Sequence, residues 1–145
     1  MSRFASGATT SAGSTTLPIF SIYGSATGRS YINEIGIWNT TATAVALRLV
    51  RLNTTGTRGA TITPSPLSQE DLAPSVGICY NTHTVAPTLG VDLGFRAILA
   101  SIGAGVIWTW PDRVLTITGG AASGIGIIVE SGTGQPCSVY LEHGE

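Results

Sequence analysis

From Leu17 onward, apolar residues come in short stretches rich in β-branched and aromatic side chains, each closed by a cluster of turn formers. That rhythm predicts strands, because a helix needs apolar groups every three or four positions over a longer run. Leu17 to Tyr23 is the first predicted strand, ended by Gly24 to Gly28. Tyr31 to Trp38 follows, with Ile35 and Ile37 on one face and Ile32, Glu34 and Trp38 on the other. In Ala42 to Leu52, Val45, Leu47 and Leu49 lie opposite Arg48, Val50 and Leu52. Apolar groups on both faces predict a central strand covered on each side.

Asn53 to Gly59 reads as a loop and Ala60 to Thr63 as a short strand before Pro64-Ser65-Pro66. Ser68 followed by Glu70 and Asp71 offers an N-cap with acids in a first turn, predicting one helical turn that Pro74 ends. Val76 to Tyr80 is another predicted strand. Leu93 to Ile102 fits both the helical and the alternating template. A strand is expected, because the turn through Gly103 and Gly105 and the stretch Val106 to Trp110 then complete a hairpin. Arg113 to Thr118, Gly124 to Glu130 and Cys137 to Glu142 are the last three strands. Strands spaced about ten residues apart mark an all-β sandwich or barrel. The first sixteen residues, MSRFASGATTSAGSTT, are too poor in large apolar groups to offset their ordering entropy. They are expected to form a flexible N-terminal arm (1–16) ahead of a single domain (17–145).

Composition narrows the function. Charged residues are 10% of the 145, with seven Arg and no Lys against eight acids. Such a balance excludes a nucleic-acid binder driven by a basic field. Leu, Ile, Val and Phe can fill a core, and abundant Thr and Gly suit strands and tight turns. A monomer normally wets its surface with charge, so scarce charge points to a surface covered by partners, in an oligomer or a lattice. No secretory signal pattern is seen, and Gly103, Gly105 and Pro111 interrupt the longest uncharged stretch, Ala97 to Pro111. A soluble protein made in the cytoplasm of its producer, with no membrane partner, is expected.

Candidate chemistry is thin. Gly120-Ala121-Ala122-Ser123-Gly124 places its Ser one position late for a nucleophile elbow, and His143 reads as a solvated residue. Cys79, His83, Cys137 and His143 have the composition of a zinc set but not the close Cys pair such sites begin with, so buried free cysteine is the preferred reading. Glu34, Asp92, Asp112 and Glu130 are available for a carboxylate pair, yet nothing in the sequence pairs them. No glycine-rich phosphate loop is completed at Gly103-Ala104-Gly105 or Gly124-Ile125-Gly126. No enzyme, cofactor or metal is therefore expected. Trp108 and Trp110 fall on one strand face, where core or interface packing outweighs stacking on sugar rings.

Four stretches carry a resemblance: Glu34 to Ala44 (EIGIWNTTATA), Asn81 to Thr84 (NTHT), Gly103 to Trp110 (GAGVIWTW) and Gly124 to Val129 (GIGIIV). They resemble small structural proteins of tailed-bacteriophage virions. The resemblance implies a jelly-roll or β-sandwich subunit, trimeric, attached to the head as a cement or decoration protein and bound to the major capsid protein. A tail or fibre-base component is the nearest alternative. An extended arm of sixteen residues would span up to roughly 50 Å and reach a neighbouring subunit, with Arg3 and Phe4 as its anchors. Trp108 and Trp110 complete the expected partner contacts. On this reading they are buried in the body or between subunits, whereas a carbohydrate-binding adhesion module would expose them.

Overall fold

A computed structural model describes residues 1–118 and 120–145. Its strands are β1 (Arg3–Thr9), β2 (Phe20–Tyr23), β3 (Ser30–Asn39), β4 (Val45–Leu52), β5 (Thr57–Ile62), β6 (Ser65–Pro66), β7 (Ile78–Val85), β8 (Leu89–Leu99), β9 (Gly105–Thr109), β10 (Leu115–Ile117), β11 (Gly124–Ser131) and β12 (Cys137–Gly144), with a 3₁₀ turn at Pro111–Arg113. They form two antiparallel sheets. In the first, β12 lies between β1 and β3, β6 flanks β1, and β9 and β10 both pair with β3. The second runs β5-β7-β2-β11-β4-β8.

The pairings nest. β1 pairs with β12 and β3 with β9 and β10 in the first sheet, while β2 pairs with β11 and β4 with β8 in the second. A long antiparallel ribbon whose successive pairs alternate between two sheets is the winding of a jelly roll. The β5 to β7 segment is an insertion between β4 and β8 that widens the second sheet beyond β2.

The core fills the space between the sheets. Ile35, Ile37, Val139 and Leu141 face Ile22, Leu47, Leu49, Ile125 and Ile127 across it, all at most 2% exposed. β4 is central, as its two apolar faces predict, and its other face joins a second apolar cluster of Tyr23, Val50, Leu52 and Ile128. The insertion helps cover that outer cluster. The Arg58 guanidinium lies 5.1 Å from the Tyr23 ring centroid and 4.3 Å from that of Tyr80, and the Tyr23 hydroxyl donates to the Thr54 carbonyl at 2.8 Å.

Four expectations are corrected. The segment expected to be a flexible arm is part of the sandwich: β1 pairs with β12 along its whole length and with β6 on its other side. Residues 10–16 are tied down as well, by Thr10 N–H to the Cys137 carbonyl, Val129 N–H to the Ser14 carbonyl and Leu17 N–H to the Ser14 hydroxyl. Small side chains supply little hydrophobic burial, but the backbone ladder and the buried Phe4 hold the strand in place. Ile32 faces inward with Ile35 and Ile37, because β12 pairs Glu142 with Glu34 but His143 with Ile32, leaving Asn33 as an extra residue that reverses the alternation. Segment 93–99 is a strand, but β8 and β9 are not a hairpin: the turn between them crosses from the second sheet to the first. At Ser68 to Asp71 a turn forms in place of a helix, with Asp71 N–H to the Ser68 carbonyl at 3.2 Å.

Candidate functional site

The predicted partner residues do not share a surface. Trp108 and Trp110 are 7% and 6% exposed and point into the core, where Phe95 packs on both at centroid distances of 6.0 and 4.9 Å. Phe95 reaches them because β8 bulges away from β4 between Asp92 and Arg96, where Gly94 takes a positive φ. Phe4 is also a core residue, stacked on His143. Neither Trp108 and Trp110 nor Phe4 is available to a partner. Arg3 is half-exposed and pairs with Glu142 at 3.3 Å.

Two histidines meet hydroxyls, and neither pair has the geometry of a hydrolase. His83 Nε2 lies 2.9 Å from Ser21 Oγ, but both residues are buried and no carboxylate orients the ring among the described residues. Burial and the nearby Arg58 charge push the His83 pKa down, so the imidazole is neutral. His143, expected to be solvated, is fully buried. Its Nε2 meets both Ser75 Oγ at 3.0 Å and Glu145 Oε1 at 3.1 Å. A triad needs nucleophile and acid on opposite ring nitrogens. Here they crowd one nitrogen, and the Glu145 carboxylate also accepts the Val76 and Gly77 N–H groups. The cluster fastens the end of β12 to the 75–77 loop.

The cysteines are unpaired and buried. Burial pushes the Cys79 thiol up to about 12 and the Cys137 thiol up to about 11, which keeps both protonated and unreactive. The four residues of the formal zinc set do not converge, since His83 and His143 sit in the separate clusters just described.

Of the carboxylates considered, Asp92 binds Arg48 and Arg96, and Glu130 binds Arg96 at 2.6 Å. Glu34 does gain a carboxylate neighbour, but it is Glu142, directly opposite on β12. Like charges in that position repel. Arg3 offsets one of them, and the Tyr140 hydroxyl donates to the other. An open groove of about 640 Å³ runs past this pair to Asp112 and Arg113, both held at positive φ.

The groove borders the most distinctive surface of the molecule, the outer face of the first sheet. One row across it reads Thr109, Glu34, Glu142 and Ala5, the next Ile107, Gly36, Tyr140 and Gly7, and the third Gly105, Trp38, Ser138 and Thr9. The glycines let the rings lie down. A Cβ at Gly36 would collide with Tyr140 and with the Trp38 six-membered ring, and one at Gly105 with the Trp38 pyrrole edge. Both rings therefore rest at the height of a Cβ, stacked with an offset, with centroids 5.6 Å apart and planes 25° apart. The strand pattern puts Glu34 and Trp38 on one face, but only the cross-strand register brings Tyr140 and Gly105 beside them.

No protein-family model matches the chain, and no curated protein matches it. Among solved structures, the globular domain of a zebrafish complement 1qA protein aligns over 98% of this chain and 95% of its own length, with 10% identity and a TM-score of 0.36. With similarity that low, the jelly-roll assignment stands on the strand pairings of this chain.

Proposed function

We propose that this chain is a virion structural subunit of the head cement or decoration type, acting as a homotrimer that binds the major capsid protein and carries no catalysis. The observation that carries this reading is a surface short of charge on which large aliphatic side chains stand in solvent: Leu72 is 92% exposed, Ile98 80% and Val91 71%. Single exposed apolar residues are ordinary. Combined with a charged fraction of 10%, they support the reading of a surface finished by neighbours. The body suits such a load, because the β1·β12 ladder ties both ends of the chain into one sheet. With residues 1–16 inside the fold, reach toward a neighbour falls to the exposed loop that carries Leu67 and Leu72.

Light scattering on the purified chain, together with binding to capsids assembled without it, tests the proposal. A trimer that saturates capsid sites, and loses affinity about tenfold on Leu72→Ser, is the expected result. A monomer that ignores capsids overturns it. A tail or fibre-base position would appear as antibody label away from the head in electron micrographs of virions.

A further inference from the structure

We infer that the flat aromatic surface made by Trp38 and Tyr140 is a binding site for an all-equatorial, β-1,4-linked glycan chain. This is independent of the virion proposal, since it rests on the outer face of the first sheet alone. Three features of that face carry it.

Shape comes first. The rings lie flat because Gly36 and Gly105 leave room beneath them, and Ile107, 52% exposed, extends the apolar surface across Gly36 onto β9. Neighbouring strands are about 4.8 Å apart and alternate residues about 6.7 Å apart along a strand. The apolar patch is therefore on the order of 10 Å by 7 Å. A stable protein interface buries about 800 Å² on each partner, far more than this patch offers, whereas a short run of sugar rings fits it. Pyranose rings with all hydroxyls equatorial show only C–H groups on their faces and can lie on aromatic rings, while axial hydroxyls would hold them off.

The second feature is the rim. Equatorial hydroxyls point sideways from a stacked sugar, and the neighbours of the patch can meet them: the Glu34 and Glu142 carboxylates accept on one side, and the exposed Ser138, Thr9 and Thr109 hydroxyls donate or accept around it. Third is the contrast with the other aromatic pair. Trp108 and Trp110 share a strand face too, but they serve the core. Trp38 and Tyr140 stand half-buried on the outer face of the first sheet, outside both apolar clusters.

The experiment is titration of the full chain with cellohexaose, followed by tryptophan fluorescence and by retardation in native gels containing hydroxyethylcellulose. The expected result is saturable binding that Trp38→Ala weakens at least about tenfold, with the urea midpoint little changed. Tyr140→Phe, which keeps the ring, should stay within about threefold of the parent. Mannohexaose of the same linkage, whose axial 2-hydroxyls stud the ring faces, should bind several-fold more weakly. Absence of retardation and of any fluorescence change overturns the inference. So does equal binding by Trp38→Ala. If light scattering instead shows an oligomer that Trp38→Ala dissociates, and cellohexaose does not bind, the patch is a contact between copies and the glycan assignment fails. Loss of capsid binding with cellohexaose binding intact would defeat only the virion proposal.

Discussion

The two sheets each carry an aromatic pair on their outer faces, and the pairs end differently. On the second sheet, Tyr23 is 1% exposed and meets Tyr80 edge-on beneath Arg58, as part of an apolar cluster with Val50, Leu52 and Ile128. On the first, Trp38 and Tyr140 stack on each other over glycines and are half-buried. The difference lies in the chain between β4 and β8. Its loop at Thr54 accepts from the Tyr23 hydroxyl and its Arg58 lies on the Tyr23 and Tyr80 rings, while β5 and β7 extend the second sheet at its edge. One aromatic pair is thus spent on stability and the other is left free for a ligand, which replacements on each side should separate.

The largest effect is expected at Tyr23. Replacement by Ala leaves a cavity in the outer cluster, strips Arg58 of a stacking partner and removes the hydrogen bond to the Thr54 carbonyl. Truncating a buried aromatic side chain costs about 3–5 kcal/mol. Urea denaturation would show this as a lower midpoint with an unchanged slope. At Gly36, a valine would have to displace Tyr140 and Trp38, ring edges that can swing into solvent. Overpacking of this kind costs about 1–3 kcal/mol. Because the rings are lifted, the fluorescence of Trp38 should shift to the red, and a spectrum unchanged from the parent would show that the rings do not rest on Gly36.

Acid should weaken the fold through the clusters at the edges of this comparison. Burial pushes the His143 pKa below its ordinary 6.5, with Glu145 opposing, and burial and Arg58 lower that of His83. An unfolded chain binds protons at pH 6.5 that these buried rings refuse, so stability falls as pH drops from 6.5 toward their folded values. For Glu145, burial alone would raise the pKa, but hydrogen bonds from Ser75 and from the Gly77 and Val76 N–H groups outweigh it and hold it below 4.5. Its contribution is present above 4.5 and is lost as pH falls through the folded value. Urea midpoints should therefore decline continuously from pH 7 to pH 4, and Glu145→Gln should flatten the lower part of the decline. A profile flat across that range would mean that neither cluster is packed as described.

How far the sequence shows these features depends on whether the signal is local. The short apolar stretches and their turn residues mark nearly all the strands, and the two apolar faces of Val45 to Leu52 mark a central one. β1 is hidden because Ser6, Gly7 and Ala8 look like a disordered segment, and its main support, the ladder to β12, comes from the far end of the chain. Turn chemistry at Gly103 and Gly105 announces a reversal but not whether the next strand stays in the same sheet. The candidate site divides the same way. Glu34 and Trp38 share a face by simple alternation, and a glycine two residues before a tryptophan is a local hint that the ring lies down. Tyr140 and Gly105 come from distant strands, so only register places them beside Trp38. Trp108 and Trp110 alternate just as cleanly, but which face of β9 turns inward is fixed by sheet packing and by the bulge that delivers Phe95.

The smallest effect on stability should come from Trp38→Ala, and it is the sharpest test of the contrast between the faces. The indole covers two glycines and one edge of Tyr140, all on a surface already open to water. Its removal deletes contacts without creating an enclosed void, so the cavity penalty that applies at Tyr23 is missing and the cost should be about 1 kcal/mol or less, in the range of surface replacements. Equal losses from Tyr23→Ala and Trp38→Ala in urea would mean that both outer faces serve the fold alike. A small loss from Trp38→Ala beside a large one from Tyr23→Ala leaves the indole without a structural task proportionate to its size. The energy that a half-buried tryptophan does not return to the fold is then available to whatever stacks on its open side.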